Sequence, residues 1–123
     1  MSDKELFMRV QELGDLYLYD VLLSYIYPRV FVCEDSYNGK YVFYEVSSKD
    51  NKDVWLMAKI SKKEYYSLVD CKKAIQKVYE NKTGFNLFSI SKIYGENEDS
   101  IELSLDTSEW IKKLADMPVF VDR

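Results

Sequence analysis

The stretch Val30-Phe31-Val32-Cys33-Glu34-Asp35-Ser36-Tyr37-Asn38-Gly39-Lys40-Tyr41-Val42-Phe43-Tyr44-Glu45-Val46-Ser47 decides how the fold is read. Two runs rich in β-branched and aromatic residues, 30–36 and 40–47, flank Asn38-Gly39, the strongest short hairpin signal because both residues tolerate positive φ. Taken as a two-residue turn, Asn38-Gly39 pairs Lys40 with Tyr37, Tyr41 with Ser36, Val42 with Asp35 and Phe43 with Glu34. Successive side chains of a strand point to opposite faces. One face then carries Phe31, Cys33, Val42, Tyr44 and Val46, a core face, and the other Val30, Val32, Glu34, Tyr41, Phe43 and Glu45. Beyond the polar turn 49–53, the run 54–60 reads as the next strand. Its Val54, Leu56, Ala58 and Ile60 join the core face, while Trp55, Met57 and Lys59 join the mixed one.

Outward from this centre, Ser61-Lys62-Lys63-Glu64 has the form of a capping box and predicts a helix to about residue 69. A second helix is predicted over 70–81, with Ala74, Ile75, Val78 and Tyr79 as its buried stripe. Strands are predicted over 85–94 and 101–106, joined by the polar turn 95–100. A last short helix runs through Trp110, Ile111 and Leu114 and stops near Pro118. Toward the N-terminus, Leu16–Tyr27 reads as a long or bent strand that Pro28 either ends or marks as an edge. Before it, Ser2 or Asp3 caps a helix whose apolar face is Leu6, Phe7, Val10 and Leu13, with Gly14 as its stop. The expected fold is α+β: an antiparallel, meander-like sheet of about five to six strands with three to four short helices mainly on one face. With no linker, repeat or low-complexity stretch, residues 1–123 are expected to form a single domain.

Composition excludes much. There is no histidine, which removes Ser-His-Asp and Cys-His nucleophile systems and the simplest neutral-pH base. Cys33 and Cys71 form no metal-ligand spacing and sit among apolar residues, so both are expected to be buried free thiols. No apolar run reaches the length of a membrane span and the N-terminus has no signal-peptide pattern, so a cytoplasmic protein without membrane partners is expected. The net charge of −4 is unevenly distributed: residues 1–36, 37–93 and 94–123 carry −4, +5 and −5. No uniformly basic footprint is present, which disfavours nucleic acid as a partner.

Four features are candidates for function. Tyr41, Phe43, Trp55 and Met57, rimmed by Glu34, Glu45 and Lys59, have the aromatic-plus-charge composition of a protein-binding face. The alternative is that the first helix or a terminal segment covers this face. Lys72, Lys73 and Lys77, with Lys62, Lys63 and Lys82 and interleaved tyrosines, form an alternative anion-binding face, whose plainer reading is the solvated side of an amphipathic helix. Glu96, Glu98, Asp99 and Glu102 lack the spacing of a calcium loop and read as a solvated turn. Eleven tyrosines, with pairs such as Tyr17 and Tyr19 two apart on one strand face, suit either interfaces or half-buried strands.

The sequence Pro28-Arg29-Val30-Phe31-Val32-Cys33, then Gly39-Lys40-Tyr41, then Val54-Trp55-Leu56 leading to Ile60-Ser61, resembles a small bacterial family of domains of unknown function. In that family a P-x-x-F-x-C strand, a G-x-x-Y hairpin and a W-L strand precede a serine-capped helix. The resemblance covers roughly 16–80, implies an α+β fold, and transfers no activity to any residue. The reading that follows is a non-enzymatic protein-binding module with no cofactor and no metal. It would act on another protein, or on a second copy of itself, in the manner of a small bacterial or phage inhibitor that occludes a surface, for example of a defence system. The alternative is a nucleotide or nucleic-acid binder using the lysine-rich helices 62–82; an enzyme built on a Tyr or Lys with a carboxylate ranks third.

Overall fold

Hairpins build residues 5–60 and again 87–104, because turn residues recur between short apolar runs. The computed structural model describes residues 5–25, 27–116 and 121, and of residues 25, 27 and 28 the backbone alone. Seven antiparallel strands lie in the sheet in chain order: β1 (Glu5–Val10), β2 (Gly14–Tyr25), β3 (Tyr27–Glu34), β4 (Lys40–Lys49), β5 (Lys52–Ile60), β6 (Leu87–Ile93) and β7 (Ser100–Ser104). Helix α1 (Lys62–Val69) follows β5, and the short α2 (Ser108–Ile111) follows β7. The protein is thus mostly β within the expected mixed class, with more strands and fewer α-helices than the sequence reading gives.

The first predicted helix is a strand. Leu6, Phe7, Val10 and Leu13 fit a helical stripe, but residues 5–10 pair with β2 instead. Gly14 does adopt positive φ, at 82°, yet it closes a hairpin in which the Leu13 N–H donates to the Val10 carbonyl at 3.0 Å. A left-handed glycine ends a helix or closes a three-residue hairpin equally well. The expected caps at Ser2 or Asp3, and the stop at Pro118, lie outside the described residues.

The central hairpin is where the sequence reading needs its main correction. Glu34 faces Lys40, Cys33 faces Tyr41, Val32 faces Val42 and Phe31 faces Phe43. The connection is therefore wider than a two-residue turn, and Asn38 alone takes the left-handed conformation, at φ 66°. Asp35 explains the difference. Its backbone N–H donates to the Gly39 carbonyl, and its Oδ1 accepts the N–H groups of Tyr37 at 2.9 Å and Gly39 at 2.8 Å. The two-residue turn lies instead at Asp50-Asn51, both at positive φ, between the paired Lys49 and Lys52. The register differs by an odd number of residues, so β3 turns over relative to β4. Phe31 and Cys33 share a face with Tyr41, Phe43, Trp55 and Met57, and Val30 and Val32 share the other with Val42, Leu56, Ala58 and Ile60.

Both faces are buried. Neighbouring strands lie about 4.8 Å apart, so a flat sheet would hold β1 about 19 Å from β5. Phe7 of β1 nevertheless packs on Trp55 of β5, ring centroids 5.5 Å apart. The sheet is curled, bringing β1 and β7 close without a ladder between them. Met8, Val10, Leu16, Phe31, Phe43, Met57, Phe88 and Ile90 fill the concave side, with Ile101 and Leu103 of β7 against them. The convex side packs on Leu68 of α1 and on Ile75, Val78 and Tyr79.

The predicted capping box at α1 is present: Ser61 Oγ accepts the Glu64 N–H and Glu64 Oε1 accepts the Ser61 N–H, each at 3.0 Å. The predicted helix over 70–81 is shorter and tighter, a 3-10 turn at Ile75–Tyr79 that keeps Ile75 and Val78 on the buried side. Tyr79 anchors it, its hydroxyl donating to the carbonyl of Val42 at 3.0 Å and lying 3.3 Å from that of Leu56. The last predicted helix is α2 continued by a 3-10 turn, Lys112–Asp116. Cys33 is a buried free thiol as expected, whereas the free thiol of Cys71 is exposed. No helix of the described residues is long and apolar enough to cross a membrane.

Candidate functional site

The expected aromatic binding face is interior. Tyr41, Phe43 and Met57 are buried and Trp55 is only 6% exposed, so these four belong to the concave core and form no open binding face. The cover is the N-terminal segment as a strand. A bulge in β1 between Leu6 and Met8 inserts Phe7 as an extra residue and aims its ring inward. That ring meets Phe31 at 4.9 Å, Phe43 at 5.5 Å and Trp55 at 5.5 Å in edge-to-face geometry.

The acidic members separate. Glu34, buried, belongs to the opposite face and pairs with Lys40 Nζ at 3.0 Å. Lys40 also lies 4.8 Å from the centre of the Tyr19 ring, and Tyr19 packs on Tyr65 of α1. Tyr65 in turn donates to Asp20 Oδ2 at 2.6 Å, so this polar network fastens α1 to the sheet. Glu45 stays on the concave side, where its Oε1 accepts from Arg29 Nη1 at 2.8 Å.

Glu45 belongs to a pocket of about 290 Å³ that opens at the end of the curled sheet. Phe7, Phe31, Trp55 and Leu18 form its apolar walls, and Glu5, Glu45 and Asp53 bring carboxylates to it. Asp53 is held from both sides, Ser48 Oγ donating to Oδ1 and the Tyr94 hydroxyl to Oδ2, each at 2.6 Å. That bond is the main reason the Tyr94 phenol is pushed up to about 12. The sequence reading contained Glu45 and Trp55 but missed Glu5, Phe7, Phe31 and Asp53. One signal was present: Asp53 is two positions from Trp55, on the same strand face.

The lysines do not converge. Lys73 pairs with Glu64 at 3.4 Å and Lys77 with Glu80 at 3.3 Å. Lys82 reaches Glu64 at 3.1 Å, and its ammonium also donates to the Lys59 carbonyl. Burial would raise the Glu64 carboxyl, but the Ser61 N–H, Lys82 and Lys73 more than offset it and hold it below its usual value. Lys72 alone of the expected anion-binding trio joins Lys62 and Lys63, in a shallow hollow beside Tyr66 that also contains Asp70. The acidic turn lies in the β6–β7 connection, where Asp99 Oδ1 accepts the Gly95 N–H at 3.4 Å. Among the described residues no group of three or more Cys, Asp and Glu is placed to hold a metal ion.

The fold and its pocket therefore define a small curled antiparallel sheet with helical cover on the convex side and an acidic, aromatic mouth. The chain belongs to a family of unknown function (DUF6575), whose model matches residues 4–122. That match reaches well beyond the 16–80 segment on which the resemblance rests, and takes in β1 and the acidic C-terminal part. The chain has no match among curated proteins or among solved structures.

Proposed function

We propose that the protein is a non-enzymatic binding module that engages another protein through the pocket at the end of the curled sheet. It would act in the cytoplasm as a small regulator or inhibitor, of bacterial or phage origin, by occluding a partner's surface. The observation that carries this reading is the combination of aromatic walls and carboxylates in one opening. Aromatic residues dominate the anchors of protein interfaces, and a concave site with a few placed polar groups fixes orientation. The opening lies where the rings of Phe7, Phe31, Phe43 and Trp55 meet, so a partner group would be held against a rigid wall.

Capture from a lysate of the encoding organism tests it with two variants. Glu5→Arg reverses a charge at the pocket on an exposed residue, and Lys72→Glu with Lys77→Glu reverses the lysine-rich side. Capture of a discrete protein that is lost with the first and kept with the second supports the reading. Retention in Glu5→Arg would remove the pocket as the site. The hollow at Lys62, Lys63 and Lys72 favours a second reading, anion or nucleic-acid binding. That reading predicts oligonucleotide affinity with a steep salt dependence, abolished by the lysine variant. A concentration-dependent dimer dissociated by Glu5→Arg would make a second copy the partner.

A further inference from the structure

The pocket's chemistry is specific enough to name what enters it. We infer that it receives an arginine side chain carried by a partner protein, an inference that rests on the pocket being the binding site. Three aromatic rings, Phe7, Phe31 and Trp55, face the same opening as three carboxylates, Glu5, Glu45 and Asp53. Arg29 compensates one of these through its bond to Glu45 Oε1. Asp53 is oriented by two neutral hydroxyl donors, Ser48 and Tyr94, which bring no opposing charge. Each carboxylate oxygen has capacity for more than one hydrogen bond, so an oriented Asp53 can still accept from a guest. Glu5 stands exposed at the rim. The opening is therefore anionic with aromatic walls, the environment that draws a cation by charge and by ring quadrupole together.

Size and shape select among cations. About 290 Å³ is at the lower limit of small-molecule sites, room for a single side chain and not for an extended ligand. A guanidinium is planar, stacks on aromatic rings and meets carboxylates with a fork of donors. A lysine ammonium is a compact, strongly hydrated charge that gives up more on entering apolar walls. The structure has the charge complementarity for arginine, and the walls favour it over lysine.

The test uses the two tryptophans as reporters in one spectrum. Trp55 lines the pocket, while Trp110 packs on the opposite, convex core and serves as the internal control. The folded protein, labelled with ¹⁵N, is titrated with a capped Ala-Arg-Ala peptide, with the same peptide carrying neutral citrulline, and with butylguanidinium. The expected result is a saturable shift of the Trp55 indole resonance by the arginine peptide, with Trp110 unmoved. Citrulline should bind about tenfold more weakly, a difference of about 1.4 kcal/mol. Glu5→Gln should weaken the arginine peptide and leave the citrulline peptide unchanged. Equal affinity for the two peptides would overturn the arginine assignment while the pocket reading stands. A shift with butylguanidinium but not with the peptide would overturn a protein-borne guest in favour of a free organic cation. No shift of Trp55 with any of the three would overturn the arginine inference, while the pocket reading itself stands or falls on capture by Glu5→Arg.

Discussion

Asp35 is the residue on which the central hairpin turns. Its Oδ1 accepts two loop N–H groups and its Oδ2 accepts the Tyr41 hydroxyl at 2.8 Å. Burial works against the charged form, but these three hydrogen bonds outweigh it and hold the carboxyl below its usual value. A carboxylate whose folded pKa lies below its unfolded value of about 3.9 stabilises the fold above that pH and loses its contribution as pH falls through the folded value. The melting temperature is expected to drop below about pH 4. Asp35→Asn should flatten part of that acid limb and lower the melting temperature at neutral pH; an unchanged limb would show that Asp35 is not responsible. Gly39 is required for the same arrangement, since a Cβ there would lie 2.6 Å from Asp35 Oδ2. The carboxylate sits at the end of a short side chain and could swing away, but only by giving up its bonds. Gly39→Ala is therefore expected to cost about 1–3 kcal/mol, measured as a shift in the urea midpoint with unchanged slope.

At the scale of elements, the convex cover is fastened by few contacts of high value. Tyr79 is fully buried, and its hydroxyl bridges the 3-10 turn to the backbones of β4 and β5. Tyr79→Phe keeps the ring's packing and removes only the hydroxyl, so a loss of about 1–2 kcal/mol in denaturant unfolding is expected. A neutral result would mean that packing alone holds the turn. The helix over 62–69 was legible in the sequence because its capping box is a local device, complete within four residues. The 70–81 segment was legible only as an apolar stripe. Its spacing of three between Ile75 and Val78 suits α and 3-10 geometry alike, and docking on the sheet selected the tighter form. β1 was misread for a related reason: four apolar residues and a following glycine satisfy a helix or a hairpin, and pairing with β2 decided it.

For the whole molecule, curling buries the concave face of the sheet within itself, while the helical segments bury the convex one. Trp55 then belongs to the core and to the pocket wall at once. Trp55→Ala is expected to destabilise the fold by about 3–5 kcal/mol, as large-to-small changes in aromatic cores do, measured by chemical unfolding. A loss within about 0.5 kcal/mol, the range of surface substitutions, would be inconsistent with the interior placement of this ring. Pro28, expected to close the preceding strand or mark an edge, lies within β3, but the strand runs at 30–34, 40–47 and 54–60, the alternation within β4 and β5, the capped helix, the late hairpin and the lack of histidine chemistry stand in the sequence itself. All of these are written in neighbours a few positions apart. Only the tertiary structure decided the register of β3 against β4, because one buried carboxylate widened the loop and an odd shift exchanged its faces. It alone also decided the pocket. Glu5, Phe7, Phe31, Glu45 and Asp53 come from four strands, and curling of the sheet brings them together through contacts that no local pattern encodes.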